Sequence, residues 1–504
     1  MMDQPPGLGF EALSSFQSSS PTVGVCCLAL SSLLGPKVSF QNTEPYITSV
    51  HSYFSQQSAA LRPLCVVSPT DTNDVSTAIA SIAQTSSLLS TTDKSQCHFA
   101  VRSGGHTSLI GEGSNIQNGI TVDLSGLNTI RLSDDQITAS VGVGATWGEV
   151  YAYLDSLNLS VAGGRAAQVG VGGLTLGGGI SYHSPRYGWT CDTVSEFEIV
   201  LPNGTIVHAI EEEHPDLMMA LRGGSGNFGI ATKVKLRAFE QGPVWGGQVY
   251  YSLDTIDDQL RAFESFNTVE GYDEYASLIM SFGYAGDQGA VVVNSIVYTR
   301  EEEYPEVFAR FFEMSSVYST MHVASMHDIS MEQGSFQPNG HRQLNVVITH
   351  GSTVDMLNAT YLRWKSSLPA IEDVRGIMWS VSLEPLPPAI YARAPTKNAL
   401  GLSDTTGSQV VTLLSVSWED ETDDKRVQNT ARALFKGIEE DARRLNSYEP
   451  FLYLNYAAPW QDPITSYGEK SIEMLRRVSR DVDPEGLFRV GMPGGFKIPL
   501  EHHR

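Results

Sequence analysis

The chain has 504 residues, 41% hydrophobic and 18% charged, with a formal net charge of −23. It is too long for one core and too apolar for disorder, so two or three folded domains are expected. The acidic balance, with no Lys/Arg-rich run, excludes a nucleic-acid or anionic-membrane binder, and no apolar stretch reaches the about 18 residues of a membrane-spanning helix.

Residues 1–20 are rich in Ser, Pro and Gly and lack the charged start and apolar middle of a secretory leader. They read as a flexible tail, which favours an intracellular location. The apolar run 23–34 reads as the helix that opens the fold. Residues 64–83 read as a strand, a turn at Pro69-Thr70-Asp71 and a helix capped by Asp71 or Thr72, with Val75, Ile79 and Ile82 as its apolar stripe. A strand at 98–101 runs into the loop Arg102-Ser103-Gly104-Gly105-His106. Further strands are expected at 120–124 and 137–143, then an amphipathic helix at 147–157. Strands follow at 197–201 and 205–209, joined by a Pro202-Asn203-Gly204 turn, and at 232–238.

From about residue 245 to 444 longer strands, such as 290–298 and 409–418, mix with helices such as 425–445. A strand at 451–456 and a helix at 466–478 complete the chain. The fold class is therefore α+β. A first domain spans 21–240 and a second α+β domain, built on an antiparallel sheet, spans 241–447. The segment 448–504 returns to the first domain. The cysteines, Cys26, Cys27, Cys65, Cys97 and Cys191, match no zinc spacing, and no metal is expected. One disulfide from Cys26 or Cys27 to Cys65, or buried free thiols, are the two readings the sequence leaves open.

Two segments carry chemistry. The Ser-Gly-Gly turn before His106 offers backbone N–H groups free of side chains, which suits a pyrophosphate and sets the His beside it. By itself the pattern favours a Gly-Gly turn with a solvated His. Residues 163–179 hold eight glycines interleaved with Val, Leu and Thr. That content excludes an ordinary helix or strand, and the apolar residues exclude a flexible linker. No strand–turn–helix unit brackets these glycines, so a nicotinamide-type dinucleotide fingerprint fails on context.

Taken together, Arg102-Ser103-Gly104-Gly105-His106 and Val169-Gly170-Val171-Gly172-Gly173-Leu174-Thr175-Leu176-Gly177-Gly178-Gly179 resemble the FAD-binding domain of the vanillyl-alcohol-oxidase/p-cresol-methylhydroxylase superfamily. Gly223-Gly224-Ser225-Gly226-Asn227-Phe228-Gly229-Ile230 resembles the closing segment of that domain. Tyr453-Leu454-Asn455-Tyr456, followed by Asp483-Pro484 and Phe488, resembles the C-terminal segment of berberine-bridge-enzyme-like members, of a fungal type. The resemblance implies a two-part FAD-binding domain, with FAD bonded covalently to His106. It places Arg102, Ser103, Gly104, Gly105, Thr107, Val169, Gly170, Gly172, Gly173, Gly177, Gly178, Ile230 and Asn455 around the cofactor. Many relatives carry a second link from a Cys whose position here is Ala166, so a single link is implied.

The resemblance further implies an oxidase: hydride passes from a small organic substrate to the flavin, and O2 is reduced to H2O2. A secondary-metabolite intermediate is the expected substrate, and a monomer the expected state. A carbohydrate or alcohol oxidase and a flavin-dependent cyclase with little net redox chemistry are the alternatives. The Glu or Gln that serves some relatives as base falls here on Leu413, which cannot take a proton. Tyr453 and Tyr187 are the candidate bases, with Val169 near the side that meets dioxygen. On the expected strand Tyr453 shares a face with Asn455, while Tyr456 points away to pack.

Overall fold

The computed structural model describes residues 24–90, 94–109, 113–286, 288–392, 398–402 and 405–500. The expected tail, residues 1–20, lies outside them. The first sheet has four strands. Cys65–Val67 and Phe99–Arg102 flank Ile120–Asp123 in parallel, and Val38–Phe40 pairs antiparallel with Cys65–Val67. These short strands are buried nearly throughout, which is why they read as continuous apolar runs rather than alternating ones. Helix Thr72–Leu88 starts where the Asp71 carboxylate accepts the Asp74 N–H, and buries Val75, Ile79 and Ile82.

Against this helix packs Val25–Leu34, which is fastened by two disulfides, Cys26–Cys97 and Cys27–Cys65. Cys191 is free and buried. The expectation of a single bridge is thus corrected. Consecutive helical residues point about 100° apart, so one cysteine faces the strand at Cys65 and its neighbour the turn at Cys97. Removing a native bridge typically costs about 2–5 kcal/mol. Denaturant melts with and without reductant should therefore show a loss of that order for the reduced protein; coincident melts would mean that the bridges do not form.

The second sheet is antiparallel, in the order Ile130–Leu132, Thr138–Gly142, Ile230–Glu240, Val194–Val200, Ile206–Ala209, with Leu159–Val161 on the far end of Ile230–Glu240. The third has nine strands, all pairings antiparallel. Its centre runs Val244–Tyr251, Gly289–Tyr298, Ala276–Ala285, Met378–Leu386, Gln409–Trp418, Arg342–Gly351. Strand alternation gives this sheet two different faces. Met280, Phe282, Trp379, Val381, Leu383 and Leu414 join one apolar core with residues of helices Ile256–Phe266, Val354–Ser367 and Asp424–Arg444. The other face lines a large cavity.

Two expected elements differ. Residues 451–456 form no strand: Leu454–Tyr456 is one 3₁₀ turn, closed by the Tyr456 N–H donating to the Tyr453 carbonyl at 3.0 Å. Within the glycine-rich run, Val171–Leu176 is a short helix. Its stability comes from packing, since Val171 and Thr175 are buried, rather than from propensity.

Candidate active site

The cavity, about 460 Å³, lies between the glycine loops of the first two sheets and the polar face of the third. The 103–107 loop leaves strand Phe99–Arg102 directly into its wall. The Ser103 hydroxyl donates to the Val143 carbonyl at 2.6 Å and accepts the Gly172 N–H at 3.1 Å, tying the two glycine loops together. Where they cross, a Cβ on Gly170 would lie 2.3 Å from the Gly104 nitrogen, so no side chain fits. At Gly173, by contrast, a Cβ would meet nothing within 4 Å. Backbone there is laid bare toward the cavity.

His106 stacks on Phe54, with ring centroids 3.9 Å apart and an interplanar angle of 17°. Protein encloses the ring while one edge opens on the cavity, and burial pulls its pKa down to about 4. The imidazole is therefore neutral near pH 7. Lys497, also lining the cavity, is drawn down to about 7 by burial, with Asp483 opposing.

At the other end the C-terminal turn meets the nine-stranded sheet. Arg165 pairs with Glu384 at 2.8 Å, and both side chains are buried. The Tyr456 hydroxyl lies between them, accepting from the Arg165 Nη2 at 2.5 Å and donating to the Glu384 Oε1 at 3.1 Å. Burial pushes the Tyr456 phenol far above its ordinary range, Arg165 lowers it and Glu384 raises it. Beside this cluster the Tyr453 oxygen accepts the Ile180 N–H at 3.1 Å and the Asn455 amide at 2.9 Å. Asn455 also donates to the Leu174 carbonyl at 3.0 Å.

Residues 63–210 match the family model described as "FAD binding domain". Over 483 residues the chain is 34% identical to "FAD-dependent monooxygenase sdcF" of Emericella nidulans, covering 94% of this chain and 98% of that protein. The chain is an FAD-linked oxidoreductase. It is also 34% identical to "FAD-dependent monooxygenase drtC" of Aspergillus calidoustus, over 99% of this chain and 92% of the relative. A further relative, "Oligopeptidase PhomG'" of Diaporthe leptostromiformis, is 43% identical over 92% of this chain, which spans only 37% of that protein's length. The fold is shared with Physcomitrella patens BBE-like 1, at 19% identity and a TM-score of 0.75, over 95% of this chain and all of that one. A variant of berberine bridge enzyme complexed with (S)-reticuline has the same TM-score at 16% identity, again over 95% and 100% of the two chains.

The residues of this flavoprotein fit FAD. Bare glycine backbone, a stacked neutral imidazole and a lysine poised to gain charge beside a phosphate are the donors a flavin dinucleotide needs. Of the positions expected around it, Ser103, Gly104, Gly105, His106, Thr107, Val169, Gly170, Gly172, Gly173, Ile230 and Asn455 line the cavity, as does Ala166. Arg102 does not. It turns away to bond Ser49 and Ser52, pair with Asp123 at 3.3 Å and stack on Tyr53, bracing the loop from behind. Gly177 and Gly178 also lie off the wall. A Cβ on Gly177 would fall 2.1 Å from the Asn455 Oδ1, so this glycine makes room for the asparagine.

The two candidate bases fare differently. Tyr453 lines the cavity. Tyr187 lies outside it, stacked on Phe239 at 4.3 Å with Arg186 and Arg237 on its ring, because the helix Ser184–Tyr187 turns it toward that cluster. Tyr456, expected to pack on an opposite face, instead reaches the cavity, since a 3₁₀ turn does not alternate as a strand does. Leu413 lines the wall without a proton-accepting group, and the carboxylate comes from the neighbouring strand. Ser382 pairs with Leu413 in register, and Glu384 sits two residues further along.

Proposed function

We propose that this flavoprotein is an oxidase of a small organic substrate, a secondary-metabolite intermediate, with FAD held by one bond to His106. The observation that carries the reading is the Tyr456 hydroxyl set between Arg165 and Glu384 at the cavity wall. When bound, FAD supplies the hydride acceptor and passes the electrons on to dioxygen. Tyr456 takes the substrate proton while its own moves to the Glu384 carboxylate, and the Arg165 guanidinium offsets the charge that develops on the phenol oxygen. A buried phenol cannot ionise alone, so the adjacent carboxylate is what makes it a usable base.

His106, neutral and fixed by Phe54, keeps a ring nitrogen free to hold the flavin. Ala166 offers no nucleophile at the same wall, which supports a single link. The two disulfides support folding in an oxidising compartment.

The printed names of the fungal relatives favour a second reading, a monooxygenase. A panel of alcohols, amines and phenols presented under 18O2 separates the two. An oxidase releases about one H2O2 per substrate oxidised and leaves the product unlabelled. A product carrying one labelled oxygen would establish the monooxygenase, and no turnover of any compound would count against both.

A further inference from the structure

The face that the nine-stranded sheet turns to the cavity is unusual for an enclosed surface. Along strand Met378–Leu386, Trp379, Val381 and Leu383 enter the apolar core, while Ser380, Ser382 and Glu384 face the cavity. Ser380 pairs with Ser415, which pairs in turn with Asn345, so three polar side chains form a row across three strands. The next row holds Ser382 and Ser281, whose hydroxyls lie 2.7 Å apart. From Ser380 to Glu384 the strand rises roughly 13 Å.

Among the described residues that line the cavity from this sheet, Glu384 is the one charged side chain, and Arg165 already neutralises it at 2.8 Å. The Asn345 amide and the Ser380 hydroxyl have no hydrogen-bond partner among the described residues and face the cavity. Ile279, Val293, Leu413 and Met378 flank the polar rows with apolar surface. Ser415 already accepts from the Gln337 amide, so a wholly apolar ligand would leave Asn345 and Ser380 unpaired. A charged ligand would lack a counter-ion, and a sugar would waste the apolar flanks.

On the reading that this face is the substrate half of the oxidase site, we propose that the enzyme takes a neutral, multiply oxygenated compound with an apolar ring body. Its hydroxyl or carbonyl oxygens bond along the Asn345–Ser415–Ser380 row and the Ser382–Ser281 pair, and its ring body meets the apolar flanks. The row thereby determines specificity and also aligns the reacting edge toward Tyr456.

The test is binding to the holoenzyme, read from the shift in flavin absorbance and independent of turnover. The probes are 2,7-dihydroxynaphthalene, naphthalene, 2-naphthalenesulfonate, 2-naphthylmethylammonium and xylobiose. The dihydroxy compound should bind at least about tenfold more tightly than each of the others. In the Asn345→Leu/Ser380→Ala double variant, its advantage over naphthalene should shrink below about threefold. Equal or tighter binding of naphthalene, of either ion or of xylobiose by the wild type would overturn the proposal. So would a double variant that keeps its flavin and its full preference. Should the variant fail to hold flavin, the wild-type series alone decides. Selective binding together with no H2O2 from any compound would instead count against the oxidase reading and leave the ligand class standing.

Discussion

Tyr456→Phe is expected to slow flavin reduction by about 10²–10⁴-fold, the usual contribution of a positioned base, while retaining fold and flavin. The change deletes one oxygen. It leaves Arg165 and Glu384 still paired at 2.8 Å, so no buried charge is orphaned. Glu384→Gln should slow reduction comparably, because the phenol then has nowhere to send its proton. It should also destabilise the protein, since breaking a buried ion pair by removing one partner costs about 3–5 kcal/mol. Tyr453→Phe behaves differently. It strands the Ile180 N–H and the Asn455 amide, so the loss falls on stability, about 1–3 kcal/mol, more than on proton transfer. Tyr187→Phe should be silent. Anaerobic rapid mixing with a compound that yields H2O2 reads all four. A Tyr456→Phe enzyme that bleaches at the wild-type rate would take the proton away from this residue.

Replacing His106 has the second large effect, on cofactor retention. His106→Ala should release FAD into the supernatant on acid precipitation. The ring stands where the loop delivers it, stacked on Phe54, and of the described residues beside it Thr107 and Ser108 are weaker nucleophiles and Ala166 has none. The pH dependence of attachment follows from burial. An unperturbed imidazole of pKa 6.5 would be largely protonated at pH 5.5, whereas one drawn down to about 4 remains neutral. With FAD in saturating excess, which offsets the charge that Lys497 gains between pH 8 and 5.5, attachment should therefore proceed alike at the two pH values, and fail as the pH approaches 4. The same depressed pKa makes the unfolded state bind the proton first. Stability from the neutral ring is thus present above pH 6.5 and lost as pH falls from there toward 4.

Much of this was legible in the chain. The parallel strands around Cys65–Val67 and Ile120–Asp123 announce themselves as short apolar runs, and Asp71 caps its helix as its position before the apolar stripe implies. The glycine loops were readable because a fully glycine backbone at Gly104 and Gly170 has no rival explanation once the loops touch. The proton-handling cluster was harder. Arg165, Glu384 and Tyr456 come from three segments separated by 219 and 72 residues along the chain, and only tertiary packing joins them. One local signal was present: Trp379-Ser380-Val381-Ser382-Leu383-Glu384 alternates cleanly, and an acidic residue on the polar side of such a strand is aimed at whatever that side faces. The turn at Leu454–Tyr456 could not be told from a strand, because residues 451–456, five apolar or aromatic residues with one Asn, carry neither a period of two nor one of 3.6.

The measurement that bears most directly on the account is a peptide map of the wild-type holoenzyme after acid precipitation. Single attachment at His106 predicts that the yellow colour stays with the pellet, that one FAD is attached per chain, and that it resides on the peptide containing His106, with the peptide containing Ala166 unmodified. FAD recovered free in the supernatant, or an adduct on any other residue, would contradict it.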